Sequence, residues 1–172
     1  MKNRGERTQN GKLRGEWAEM HFMTCAAEHG LRVNKPWGEM APFDFVMGEH
    51  GHLLRVQVKS TLSRRGTGYA CTVVRGLQRR YASDAVDFFA ILVVPDLAWY
   101  IIPAELILGK GKVGLYPNSP KSRYAPYREA WHLLRPRPCA KRGTIDCIQA
   151  CADPTVYFEG GFLGSAGSEE FA

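Results

Sequence analysis

Residues 42–61 of the chain read PFDFVMGEHGHLLRVQVKST, and this stretch decides which fold we predict. Two runs rich in apolar and β-branched residues, 43–46 and 53–59, flank a loop with two glycines, which is the pattern of a β-hairpin. Side chains at positions i and i+2 of a strand point to the same face, so Gln57 and Lys59 share a side. We expect the hairpin to bring Asp44 beside them.

The three polar side chains of this hairpin suit a site for a phosphate ester. A carboxylate and a carboxamide oxygen are ligands that Mg²⁺ accepts, and an amine can neutralise charge on a phosphate. Taken singly, Asp44, Gln57 and Lys59 each have an ordinary interpretation as solvent-facing strand residues. Their convergence at one edge of a sheet favours a functional site.

A helix is predicted upstream, from about Leu13 to Glu28. Apolar residues recur there at three- or four-residue spacing, and a glycine stands at the expected C-terminal cap; these are Trp17, Met20, Met23, Ala27 and Gly30. Glu16 and Glu19 share one helical face, and either could supply a further carboxylate. The alternative is that both are solvated and simply favour the first helical turns. We prefer Glu16, because it follows Gly15, a residue that would allow the helix to approach the sheet closely.

The remaining pattern predicts one α/β domain over residues 13–134. Further strands are predicted at 69–74, 88–94 and 99–102, and short helices at 103–108 and 127–134. A flexible basic arm is expected over 1–12. A basic linker and weakly structured tail are expected over 135–172, where an Arg-Pro repeat gives way to a Gly- and Ser-rich end.

Composition narrows the class of protein. The 172 residues carry a formal net charge of +6 and a sequence pI of about 9.2, which suits a polyanionic partner. The longest apolar run, 88–94, is too short to cross a bilayer, and no export signal opens the sequence. Five cysteines are scattered without a metal-binding spacing, so we expect reduced thiols and a cytoplasmic location.

The ordered segments Gly15-Glu16, Pro42-Phe43-Asp44 and Gln57-Val58-Lys59 resemble the PD-(D/E)XK nuclease superfamily. The likeness covers about residues 13–134 and is closest to the group I intron-associated homing endonucleases. Most members of the superfamily carry Asp or Glu where this chain has Gln57, and the homing branch is similar to this chain in having Gln there. Supporting segments are 55–61, 87–90, 99–103 and 127–131.

The resemblance implies a restriction-endonuclease-like core, with a central mixed β-sheet flanked by helices. It implies a Mg²⁺-dependent endonuclease that hydrolyses phosphodiester bonds of double-stranded DNA, with Mn²⁺ able to substitute. The implied metal ligands are Asp44, Gln57, the carbonyl of Val58 and Glu16, while Lys59 holds the attacking water or neutralises developing charge. Because duplex cleavage needs two active sites, we expect a homo-oligomer, a dimer or higher, associated with the bacterial nucleoid when bound to DNA.

A segment rich in arginine follows the candidate site. It carries no acidic residue between positions 60 and 81, and its cations are candidates for contacts with DNA phosphates: Arg64, Arg65, Arg75, Arg79 and Arg80. The alternative is a solvated loop. Two other functions stay open, namely a Holliday-junction-resolvase-like or repair nuclease and a non-catalytic DNA-binding module impaired at Gln57.

Overall fold

The computed structural model describes residues 10–38, 41–49, 52–74, 81–82 and 84–135. The chain divides into two compact units, 1–136 and 137–172, and all the described residues belong to the first. Residues 1–9 of the predicted arm and the predicted tail from 136 onward lie outside the described residues. No helix in the described part of the chain is long and apolar enough to cross a membrane.

Helix α1 spans Gly11–Glu28 and so begins two residues before the predicted start. Asn10 caps its first turn, because the side-chain oxygen accepts from the N–H groups of Lys12 and Leu13. Gly30 ends it with a φ of +68°, a left-handed conformation that glycine adopts without strain. The buried stripe of α1 is Ala18, Phe22 and Ala26. It differs from the predicted apolar positions, two of which, Met20 and Met23, are exposed.

The main sheet has five strands: β1 Val33–Asn34, β2 Phe45–Glu49, β3 His52–Thr61, β6 Phe88–Val93 and β7 Ala98–Pro103. Their order in the sheet is β1-β2-β3-β6-β7. The strand β3 pairs parallel with β6, and every other neighbouring pair in this sheet is antiparallel. The predicted hairpin is therefore present as β2 and β3, with Phe45 opposite Val56.

A smaller antiparallel sheet has the order β4-β5-β8. Its strands are β4 Arg64–Arg65, β5 Gly68–Thr72 and β8 Lys112–Leu115. The sequence pattern missed β8, because the glycines around Lys112 favoured a turn. Where the two short helices were predicted, the described part of the chain has 3₁₀ turns, at Ala104–Leu106, Ala125–Tyr127 and Trp131–Leu134.

The helix predicted over 127–134 was wrong for an identifiable reason. Glu129 adopts a left-handed backbone with a φ of +51°, which a helix does not allow. Its N–H donates to the carbonyl of Trp99 at 2.9 Å. Its carboxylate accepts from the N–H of Trp99 at 2.7 Å and from the indole of Trp131 at 2.9 Å. Residues Arg128 and Glu129 therefore pair with the edge of β7, and the predicted helix is reduced to the short 3₁₀ turn at its end.

Apolar side chains cover both faces of the main sheet. On one face, Phe22 of α1 packs with Phe45, Trp99 and other buried residues. On the other, residues of β6 and β7 such as Ile91 and Tyr100 belong to a cluster shared with the small sheet. The architecture is a mixed sheet with a helix on one side, which confirms the predicted α/β fold class.

Candidate active site

Asp44 lies immediately before β2, at the mouth of the hairpin. Its N–H donates to the carbonyl of Val56 at 3.0 Å, which continues the β2–β3 pairing by one residue. Its Oδ2 accepts from the N–H of Val58 at 2.7 Å and from Nε2 of Gln57. Backbone pairing therefore brings the carboxylate to the middle of β3, where the sequence predicted it.

Gln57 is buried, with an exposed fraction of 8%. Its Nε2 donates both to Oδ2 of Asp44 and to the carbonyl of Val58, the latter at 3.2 Å. Two oxygens on neighbouring strands thus converge on a single donor. Such a point of convergence, lined by a carboxylate and a peptide oxygen, is chemically suited to a hard cation.

The Asp44 carboxyl is the most perturbed acid of this region. Burial raises its pKa from 3.8 to about 6, although the hydrogen bond from Val58 opposes the change. The negative charge of Glu19 raises the pKa further, while Lys59 and Lys35 lower it. Carboxyl groups whose pKa is shifted toward neutral pH by burial and by neighbouring charges are common at functional sites.

Glu16 and Glu19 of α1 occupy different environments. Glu19 is half-buried and accepts from the ammonium of Lys35 at 2.8 Å, and this hydrogen bond raises the pKa of Lys35. Glu16 is exposed. A Cβ added at Gly15 would meet no atom within 4 Å. The close approach that gave Glu16 its preference in the sequence is therefore absent.

Lys59 is half-buried on β3, and its ammonium lies 5.7 Å from the centre of the Tyr81 ring. It acts electrostatically on two buried groups. It lowers the pKa of Asp44, and it opposes the burial that raises the pKa of the Cys71 thiol to about 12. Gln57 and Lys59 lie on one strand with Val58 between them, so they share a face as predicted.

Of the arginines predicted to bind DNA, the structure describes two. Arg64 and Arg65 form β4 and are exposed, and the guanidinium of Arg64 lies 5.8 Å from the ring centre of Tyr69. In the sequence, both arginines follow shortly after Lys59, just beyond the end of β3. The other three predicted arginines, Arg75, Arg79 and Arg80, lie outside the described residues.

Sequence reasoning missed the contribution of Lys35. This residue follows β1 and reaches Glu19, sixteen positions away on the helix, so no local pattern could have linked the two. In the described part of the chain, no group of three or more His, Cys, Asp or Glu side chains is placed to hold a metal. The candidate site instead combines the Asp44 carboxylate with the Gln57 carboxamide and the Val58 carbonyl.

The comparisons with known proteins agree with this geometry. Residues 9–134 match the family model described as PD-(D/E)XK endonuclease. The chain belongs to that family. Among solved structures it is similar to a bacterial homing endonuclease, I-Ssp6803I, with 30% sequence identity, a TM-score of 0.59, and coverage of 71% of this chain and 88% of the other. The comparison with curated proteins gives no match.

These matches confirm the resemblance inferred from the hairpin and helix motifs, and they confirm the restriction-endonuclease-like fold. The family assignment also supports the coarse conclusion that this PD-(D/E)XK protein is a nuclease. The roles of individual residues stay predictions.

Proposed function

We propose that this PD-(D/E)XK protein is a divalent-metal-dependent endonuclease that hydrolyses phosphodiester bonds of double-stranded DNA, in the manner of a homing endonuclease. The observation that carries the proposal is the convergence of the Asp44 carboxylate, the Gln57 carboxamide and the Val58 carbonyl next to Lys59. The similarity to a bacterial homing endonuclease and the net positive charge of the chain favour DNA as the substrate.

The oxygens of this site fit Mg²⁺, with Mn²⁺ as a substitute. Oδ2 of Asp44 and the carbonyl of Val58 already face one donor, Nε2 of Gln57. A 180° rotation of the Gln57 amide group would put its oxygen where its nitrogen now lies. All the metal ligands would then be oxygen atoms. Gln57 adds no negative charge, so the ion is held less tightly than by the Asp or Glu of most family members.

A divalent ion bound there would polarise a phosphoryl oxygen and acidify a water molecule. Asp44 would hold the ion through its carboxylate. Lys59, whose charge acts on that carboxyl group, would neutralise charge that develops on the phosphate or hold the attacking water. The Tyr81 ring, 5.7 Å from the ammonium, limits the positions that the lysine side chain can take.

A carboxylate of α1 completes the proposed site. The sequence favoured Glu16, but the electrostatic environment favours Glu19, whose charge acts on Asp44 and whose side chain is paired with Lys35. We assign to Glu19 the role of binding a second ion or orienting its water. Glu16 is the alternative for this role.

A plasmid-cleavage assay tests the proposal. Purified protein is incubated with supercoiled DNA in Mg²⁺, in Mn²⁺ and in EDTA, and nicked and linear products are followed with time. We expect cleavage that depends on the metal and falls by about 10²- to 10³-fold or more in Asp44→Asn and Lys59→Ala. Asp96→Asn, in the exposed turn after β6, is the matched control and should cut like wild type.

Each other outcome has a definite meaning. Cutting that persists in both variants would show that the catalytic site lies elsewhere. Retarded migration of DNA without cutting would favour a non-catalytic binding module. Preference for four-way junctions over linear duplex would favour the resolvase-like alternative. Because double-strand cleavage requires two sites, sedimentation of the DNA complex should also show two or more copies of the chain.

A further inference from the structure

A polar pocket of about 410 Å³ lies at the carboxyl end of β3, one residue beyond Lys59. Its lining residues include Arg14 from α1 and four residues that carry a hydroxyl group: Ser60, Thr61, Ser63 and Thr72. A guanidinium and several hydroxyl groups are the donors that proteins use to bind phosphate.

Two hydrogen-bond arrangements give this pocket a fixed shape. Nε of Arg14 donates to Oγ of Ser60 at 3.3 Å, across 46 residues of sequence, which fixes the first turns of α1 to the end of β3. The hydroxyl of Thr61 donates to the carbonyl of Ala70 at 2.6 Å and accepts from the N–H of Ser63 at 3.1 Å. The Thr61 hydroxyl therefore joins the residues after β3 to β5, while Arg14 and Ser60 form a polar wall of the pocket.

The pocket is adjacent to the candidate active site. Both Lys59 and Arg14 act on the buried Cys71 thiol, since each opposes the burial that raises its pKa. The two cations therefore lie near the same side chain of β5. Ser60 directly follows Lys59 on the stretch of β3 beyond its pairing with β2. The two side chains point to opposite faces of the strand, so a DNA strand that contacts both crosses this edge of β3.

We propose that Arg14 and Ser60, assisted by the hydroxyls of Ser63 and Thr72, bind a non-scissile phosphate of the strand that is cut. Guanidinium and hydroxyl groups are typical donors to DNA phosphates, and such contacts fix the register of the duplex without reading its sequence. Arg14 thus acts as a positioning residue that places the scissile phosphate against Asp44 and Lys59. This inference rests on the proposed nuclease function, because it assumes a DNA strand at the same site.

The test is equilibrium binding to a fluorescent DNA duplex in EDTA, measured by anisotropy from 50 to 200 mM salt, so that it does not depend on cleavage. Each phosphate contact contributes about −0.9 to the slope of log K against log salt. In Arg14→Ala we expect roughly tenfold weaker binding at 50 mM salt and a slope smaller in magnitude by about 1. Ser60→Ala should weaken binding two- to threefold, roughly, with the slope unchanged, since it removes no charge.

The matched control is Arg135→Ala. Arg135 is exposed and donates to the carbonyl of His29, at the other end of α1, about 22 Å from Arg14 by the rise of the helix. Its slope should equal that of the wild type. Arg14→Lys, which keeps the charge, should keep the wild-type slope. The melting temperature of each variant shows whether it is folded.

An Arg14→Ala slope equal to that of the wild type, in a folded protein, would overturn the proposal. A second arm titrates inorganic phosphate: thermal stabilisation by phosphate that disappears in Arg14→Ala, together with an unchanged DNA slope, would mean that the pocket binds a free anion and not DNA. Binding of DNA through Arg14 without any cleavage by the wild type would support this site while refuting the proposed catalytic function.

Discussion

The β2–β3 hairpin and the helix α1 both supply side chains to the candidate site, but different physics positions them. In the hairpin, strand pairing places Asp44 beside Gln57, because the register of β2 on β3 is fixed over a short loop. In α1, packing decides which residues face the sheet, and the buried stripe is Ala18, Phe22 and Ala26. The hairpin is specified locally, and the orientation of the helix is specified by distant residues.

The rotation of α1 about its axis sets the environments of Glu16 and Glu19. Successive helical residues are separated by about 100°, so Glu16 lies roughly 160° from Ala18 while Glu19 lies roughly 60° from Phe22. A helix packed through Ala18 and Phe22 therefore turns Glu19 toward the sheet edge and Glu16 toward solvent. Glu19 accordingly interacts with Asp44 and Lys35.

The largest predicted effect is on the rate of DNA cleavage when a glutamate of α1 is replaced. In single-turnover cleavage of plasmid DNA, Glu19→Gln should slow the reaction by about 10²-fold, because it removes the charge beside Asp44. Glu16→Gln should stay within about twofold of wild type, as is usual for an exposed substitution. The reverse order would show that α1 is oriented by something other than its buried stripe and would restore Glu16 to the site.

A second prediction concerns the hairpin and the pH dependence of stability. The folded-state pKa of Asp44 is raised to about 6 from 3.8, so the folded metal-free protein binds a proton more tightly than the unfolded chain. The free energy of unfolding should therefore fall as pH rises between about 4 and 6, by up to about 3 kcal/mol. Urea unfolding in EDTA measures it.

The control for this pH effect is Asp44→Asn, which cannot titrate. Subtracting its stability from that of wild type removes the contribution of other acids. Asp87 is one of these: burial opposes the change, but hydrogen bonds from Arg55 lower its pKa, so its stabilisation is lost only as pH falls below its ordinary range. A flat difference between pH 4 and 7 would mean that the hairpin does not bury the Asp44 carboxyl. Mg²⁺ should stabilise wild type more at pH 8 than at pH 5.

The smallest predicted effect is on the free energy of unfolding, and it tests whether α1 requires a glycine at position 15. A Cβ at Gly15 meets no atom within 4 Å, so Gly15→Ala should raise the free energy of unfolding by about 0.5–1 kcal/mol through helix propensity. Gly30→Ala is the contrasting variant, because the φ of +68° at Gly30 strains any side chain, and it should destabilise the protein. Loss of stability in Gly15→Ala would instead indicate a close helix–sheet contact at this position.

Other elements show the same difference between structure that is set by local sequence and structure that is set by distant contacts. Strand β6 was predicted almost to the residue, since a continuous apolar run is typical of a strand covered on both faces. The helix predicted near the end of the domain was wrong, because the N–H of Trp99 and the indole of Trp131 recruit the carboxylate of Glu129. Strand β8 was missed because its pairing with β5, forty residues earlier, overrides glycines that locally favour a turn.

Local sequence patterns were enough to predict the mixed α/β class, the β2–β3 hairpin and the meeting of Asp44 with Gln57, because strand alternation and a short loop fix neighbours over a few residues. Tertiary packing was needed to show that Glu19 pairs with Lys35 while Glu16 is exposed, and that Arg14 reaches Ser60 across 46 residues. It also decided the raised pKa of Asp44. Each of these depends on packing between segments distant in sequence, which sets helix rotation and burial and which no local pattern records.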